Sequence, residues 1–306
     1  AFGVRIADSE KLNSLIGKFG WGLSQSASCQ SEVTEIFTKT REESQYRFNY
    51  IDLNELDENN KLPETVSSST SNKGKGTDPY SHYELPFLPL FGSVDSGTVI
   101  VLKKCDNLEW KTIDTLKSQT IDRLSEVYRK YIALGRLIYV NGKKIELTDP
   151  LMLMPNHRFE KEKNDKNEMV GFGNVEFSVG YPEDGEKLLV YVDEEGKVVK
   201  KGKGKPHEIK VKMSLLPVER LLGKIRVTRQ RPDTKFKIQS RTQGIYLMRN
   251  KRQIARGSTI NGLIQKNPQL NYLRTEITFP PELDAVFGVQ TNKARYTVHQ
   301  HVRDKL

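Results

Sequence analysis

The sequence predicts an α+β fold in two parts, on three observations. Alternating, strand-like segments occur in both halves of the chain. A single strong helical period lies between them. No strand–helix–strand repeat of the kind that builds a parallel sheet runs through either half. A length of 306 residues leaves room for two domains of about 150 residues each. The mean hydropathy of −0.60 is that of a polar, soluble chain, and no apolar run approaches the ~20 residues needed to span a bilayer.

In chain order, "EVTEIFTKT" (Glu32–Thr40) and "QYRFNYIDL" (Gln45–Leu53) read as antiparallel strands joined by the polar turn "REES". The stretch from Asp57 to Asp78 is rich in Ser, Asn, Gly and Lys and reads as a loop within a domain or a linker. "GTVIVLKK" (Gly97–Lys104) has four apolar residues in succession, the pattern of a strand buried on both faces. Leu124, Val127, Tyr128 and Tyr131 recur at i, i+3, i+4 and i+7 and predict a helix stopping near Gly135, with Ile113, Leu116 and Ile121 extending it upstream. "RLIYVNGKKIEL" then reads as a hairpin turning at Asn141-Gly142, residues suited to the positive φ angles of a type I′ turn.

The charged run Phe159–Glu168 divides the chain into domains 1–158 and 169–306. Beyond it come a hairpin turning at Glu195-Gly196, the strand "HEIKVKMSLL", and two short strands in "GIYLMRNKRQIARG" (Gly244–Gly257) about a turn at Asn250. "NYLRTEITF" (Asn271–Phe279) alternates as a strand, and a helical turn and a loop carrying Lys293 follow it.

Two cysteines, Cys29 and Cys105, form no disulfide framework and read as reduced thiols, with a cytosolic setting as the default. Neither lies in a metal-binding spacing, so no metal ligands are assigned. His299 and His301 read as surface histidines rather than a ligand pair. Charge is concentrated. Between Gly196 and Arg256 there are 19 Lys and Arg against three acids, within a chain whose overall net charge is +10. A basic block of this size, 196–256, suits a polyanion and makes DNA the first partner, against a solvated basic face as the plain alternative.

The segment "GKFGWGLSQSASC" places Gly17, Gly20 and Gly22 ahead of a helix starting near Leu23. Glycines feeding a helix N-terminus leave amides open to a phosphate. The spacing is neither that of a Walker loop nor that of a dinucleotide fingerprint, and a packing turn explains the glycines equally well.

"LIGKFGWGLSQSASCQSEVTEIFTKT" resembles the third nucleotide motif of the GHKL ATPases, the superfamily of DNA gyrase, heat-shock-90-type chaperones, histidine kinases and MutL. Further segments match in order: "SGTVIVLKK" the family's Gly-Thr strand, "RLSEVYRKYIALGRLIYVNGKKIEL" the close of the ATPase domain, "GIYLMRNKRQIARG" a transducer strand pair, and "FGVQTNKARYTV" the transducer loop. The flavour is closest to MORC-type and related bacterial members. The resemblance implies the C-terminal part of a GHKL (Bergerat) α/β sandwich followed by a ribosomal-S5-like transducer domain. It implies ATP as ligand, held by Gly17, Lys18, Phe19, Gly20, Trp21, Gly22 and Leu23 of the lid, by Thr98 at the adenine end, and by Lys293, the switch lysine at the γ-phosphate. On the residues alone, Lys18 also reads as an exposed lysine and Trp21 as a packed ring.

No Glu-x-x-x-Asn helix and no Asp-x-Gly-x-Gly motif of the family kind is found upstream of Gly17. In family order both belong upstream of Gly17, so the sequence is expected to begin partway through the ATPase domain. A natural half-domain that binds no nucleotide is the alternative. ATP hydrolysis is expected only of an intact protein carrying those motifs, which would supply the general base and the Mg²⁺ ligand. The implied function is an ATP-gated homodimeric clamp acting on DNA, cytoplasmic or at the nucleoid or nucleus. A non-catalytic nucleic-acid-binding or scaffold module and a MutL-like mismatch-repair factor are the alternatives.

Overall fold

The computed structural model describes residues 22–59, 66–67, 79, 95–160, 172–181, 191–192, 198–199, 207–217, 236–260, 262–284, 286–289, 296–298 and 303. It is a mixed α/β structure in two compact units. The first comprises 1–4, 19–118 and 139–143, and the second 5–18, 119–138 and 144–306. Residues 161–168 of the charged run offered as a domain boundary lie outside the described residues. Among the described residues no helix is long and apolar enough to cross a membrane.

The first unit is built on a sheet of order β3-β2-β1-β4. Its strands are β1 (Val33–Lys39), β2 (Arg47–Asp52), β3 (Val66–Ser67) and β4 (Gly97–Lys103). Helix α1 (Gly22–Ser28) enters β1, and α2 (Leu53–Asn59) leaves β2. β1 and β2 are antiparallel about the polar turn, with Phe37 opposite Phe48. Phe37, Tyr46 and Phe48 form the core here, and Val99 and Val101 of β4 pack onto it.

β4 corrects one expectation. It ends the sheet order, paired to β1 with Ile36 opposite Ile100. Side chains alternate across a strand, so Ile100 and Leu102 face away from that core and stay 44% and 37% exposed. The apolar run therefore serves one covered face and one open face, rather than two covered ones.

Helix α3 (Ile113–Val127) runs where the helical period predicts it. Tyr128 interrupts it with φ −105° and ψ 16°, α4 (Arg129–Ala133) resumes, and Gly135 follows at φ 85°. The hairpin β5 (Tyr139–Val140) and β6 (Lys143–Lys144) turns through Asn141 and Gly142 at φ 47° and 72°, the type I′ signature.

The second unit holds a five-stranded sheet of order β12-β11-β13-β10-β7. The strands are β7 (Phe172–Tyr181), β10 (His207–Leu215), β11 (Gly244–Arg249), β12 (Arg252–Ser258) and β13 (Leu273–Phe279), while β8 (Tyr191–Val192) and β9 (Val198–Val199) form a separate antiparallel pair. β11 and β12 turn at Asn250, as the sequence predicts. β13 returns beside β11, parallel to it and antiparallel to β10. One face of the sheet carries an apolar core of Ile209, Val211, Ile245, Leu247, Ile277 and Phe279, closed by Leu283 and Phe287. Phe279 and Phe287 stack with ring centroids 3.8 Å apart.

The opposite alternate positions carry polar side chains, and many of them are buried. Ser214, Tyr246, Arg274 and Glu276 are all below one-tenth exposed. The same holds on the helices. The period Leu124–Tyr131 predicts an apolar buried face, yet the buried residues are Ser125, Glu126 and Arg129. A polar helix face meeting a polar sheet face determines the chemistry of the second unit.

Candidate functional site

Of the lid residues, Gly22 and Leu23 are described, whereas Gly17, Lys18, Phe19, Gly20, Trp21 and the switch residue Lys293 lie outside the described residues. Gly22 opens α1, and a Cβ built there meets nothing within 4 Å. Packing among the described residues therefore does not require a glycine at this position. Leu23 is exposed. Ser26 Oγ donates back to the Leu23 carbonyl at 3.1 Å.

Thr98 stands at the start of β4, opposite Thr38 of β1, with the two hydroxyl oxygens 2.9 Å apart. Thr98 is exposed, so its hydroxyl keeps solvent-side capacity. Among the described residues no hydrogen bond joins Thr98 to Gly22 or Leu23.

The described residues on either side of 290–295 are firmly held. Before it, Arg249 grips Asp284 bidentately, at 2.6 and 2.9 Å, with both side chains buried. Beyond Asp284, Phe287 is fully buried, and after the segment so is Val298. The Thr297 amide donates to the Phe287 carbonyl at 3.2 Å, tying the two flanks together.

The basic block is only partly available to a polyanion. Lys210 pairs with Glu208, Lys237 with Asp122, Arg249 with Asp284 and Arg256 with Glu126. Arg241 and Lys251 are exposed.

Sequence reasoning missed the buried ionic centre of the second unit. Arg129 is 0% exposed. One guanidinium nitrogen donates to the Glu126 carbonyl at 2.8 Å and to the Gln253 side chain. The other donates to Glu276 Oε2 at 2.5 Å and to Met248 Sδ at 3.1 Å. Its Nε lies 3.9 Å from Asp149 Oδ1. Lys130 Nζ reaches Glu276 Oε1 at 2.7 Å. Gln253 Nε2 donates to Glu126 Oε1 at 2.6 Å, and Glu126 Oε2 pairs with Arg256 at 3.2 Å.

Burial pushes the Glu276 carboxyl up, but Arg129 and then Lys130 outweigh it and hold it down at about 2. Burial likewise opposes the Arg129 charge, yet Glu276 and Asp149 raise its pKa above the ordinary value. Arg129 and Glu276 are therefore both charged at neutral pH. Asp149 also accepts the backbone N–H groups of Leu151, Leu153 and Met154, at 3.1, 2.7 and 2.8 Å, and so fixes the loop after the hairpin.

One sequence signal marked this centre: Asp122, Ser125, Glu126 and Arg129 follow helical spacing, and Arg274, Glu276 and Thr278 share one side of β13. Charged stripes of this kind ordinarily face solvent, so their burial is legible only once α3 and α4 are seen against β11, β12 and β13.

No family model matches the chain, and no curated protein matches it. Among solved structures, the crystal structure of the ATPase and transducer domains of DNA topoisomerase II from Balamuthia mandrillaris is similar over 99% of this chain, at 12% identity and a TM-score of 0.34. The chain spans 65% of that structure's length.

Proposed function

We propose that this chain carries the lid-to-transducer portion of a nucleotide-gated GHKL-type clamp. The reading is carried by the order of the motif-bearing segments: glycine turn, Gly-Thr strand, closing helix and hairpin, transducer strand pair, and lysine loop. It is supported by the elements those segments form. The glycine run leads into α1 and β1, Thr98 opens β4 beside β1, and Gly244–Gly257 forms the β11–β12 hairpin.

In this reading the lid amides from Gly17 to Gly22 cradle the phosphates, and Thr98 holds the adenine end. Lys293 adds a point charge at the γ-phosphate, where the charge of the transferring group develops. The loop's flanks suit that task, because Arg249–Asp284 and the Thr297–Phe287 hydrogen bond tie them to the sheet. DNA is the proposed partner of the exposed part of the basic block, and ATP binding is proposed to close a homodimer.

The test is titration of a non-hydrolysable ATP analogue, with Mg²⁺, into the intact protein and into this chain alone. Binding by the intact protein, lost on Gly20→Ala, is the expected result. No binding by either would favour a non-catalytic nucleic-acid or scaffold module, a reading motivated by the lack of a Glu-x-x-x-Asn or Asp-x-Gly-x-Gly motif ahead of Gly17 in this sequence. DNA binding should fall steeply with salt as counterions are released, and a flat response would remove DNA as the partner.

A further inference from the structure

Beside the ionic centre, the second unit holds a cavity of about 20 Å³ whose wall includes Glu126, Asp149, Lys237, Tyr246, Arg256 and Arg274. A space of this size admits one water-sized or halide-sized guest. Each carboxylate in the wall is already satisfied. Asp149 accepts three backbone N–H groups, and Glu126 holds Gln253 and Arg256. Lys237 is committed to Asp122 at 2.8 Å, and Arg158 pairs with the same Asp122 at 3.0 Å. The Tyr246 hydroxyl donates to the Thr242 carbonyl at 2.7 Å.

Arg274 is different. It is 2% exposed, and its guanidinium donates to the Asn271 and Leu273 carbonyls and to Thr242 Oγ1, at 2.5, 3.0 and 3.3 Å. None of these partners is a carboxylate. The nearby Arg256 also has a buried Nε with no hydrogen-bond acceptor. A buried guanidinium without a directly paired carboxylate is costly; burial lowers the Arg274 pKa, with Tyr246 and Glu126 acting against that shift. With Lys237 matched by Asp122, the single carboxylate Glu126 is left to serve both Arg256 and Arg274 in the cavity wall.

We propose that this cavity binds a small monatomic anion, chloride in the cell, as a further counter-ion for Arg274, whose neighbouring carboxylate Glu126 is already paired with Arg256. The anion would complete the charge balance at the polar contact between α3–α4 and the sheet.

The test uses the unmodified chain. Thermal unfolding is followed as sodium chloride replaces sodium gluconate at constant ionic strength. The melting temperature should rise with the logarithm of chloride concentration above the dissociation constant, with a shift of roughly 3–6 °C at ten times that constant. Arg274→Met should remove the chloride-specific increment. Should that variant fail to fold, crystals of the unmodified protein grown in sodium bromide give a second reading: an anomalous peak is expected within hydrogen-bond reach of Arg274. Unfolding that is indifferent to the anion would overturn the proposal. So would a retained increment in a folded Arg274→Met protein, or a cavity holding only water in bromide.

Discussion

Arg129 shows how much of this protein's second unit rests on single charged side chains. Removing one partner of a buried ion pair strands the other, at a cost of about 3–5 kcal/mol, whereas replacing both with apolar groups is often neutral. Arg129→Met alone and Glu276→Met alone should each destabilise the chain in that range, measured by urea unfolding. The double variant should lose clearly less than the sum of the two. Simple additivity would mean that the pair does not couple α4 to β13. Acid gives an independent view. The Glu276 carboxyl sits at about 2 in the folded chain against an ordinary 4.5, so its stabilisation is complete above 4.5 and is lost as pH falls through about 2. That difference is worth on the order of 3 kcal/mol. Glu276→Gln should flatten the fall in stability between these two pH values, and an unchanged acid profile would place the titrating group elsewhere.

At the scale of elements, much was legible in the sequence, because turn chemistry and alternation are local. Asn141-Gly142 and Asn250 marked their hairpins, and the alternation of Phe48 with Tyr50 and Tyr46 marked β2. β7 was missed, although Val175, Phe177 and Val179 alternate with polar residues there. The open face of β4 and the polar face of α3 were read wrongly for one reason: burial depends on what packs against an element, and its own residues do not state that. The glycines divide in the same way. Gly257, at φ 56°, allows the hairpin strand to pass the loop at 240–243, and a Cβ there would sit 2.5 Å from the Arg241 carbonyl oxygen. Gly257→Ala should therefore cost about 2 kcal/mol or more. Gly22→Ala, with open space around the added methyl, should leave stability within about 1 kcal/mol of the parent. A Gly22→Ala protein that is stable but deficient in nucleotide response would assign that glycine to ligand approach.

At the scale of the molecule, the two units divide the labour that the functional reading requires. The first carries α1 and Thr98 on a four-stranded sheet, and the second carries the anchored flanks of the Lys293 segment. Little of the second unit's interior was visible in advance, since its polar centre draws on residues from Glu126 to Glu276. The basic block also looks different in three dimensions. Among the described residues four of its cations are in ion pairs with the protein's own carboxylates, so the proposed polyanion contact would rest on others such as Arg241 and Lys251.

The most direct measurement of the proposed nucleotide gate is the solution mass of the intact protein, by light scattering, with and without a non-hydrolysable ATP analogue and Mg²⁺, for the parent and for Lys293→Ala. The account predicts a nucleotide-driven dimer in the parent and its loss in the variant, with both proteins equally folded. A mass that ignores the nucleotide, or a Lys293→Ala protein that dimerises as the parent does, would contradict it.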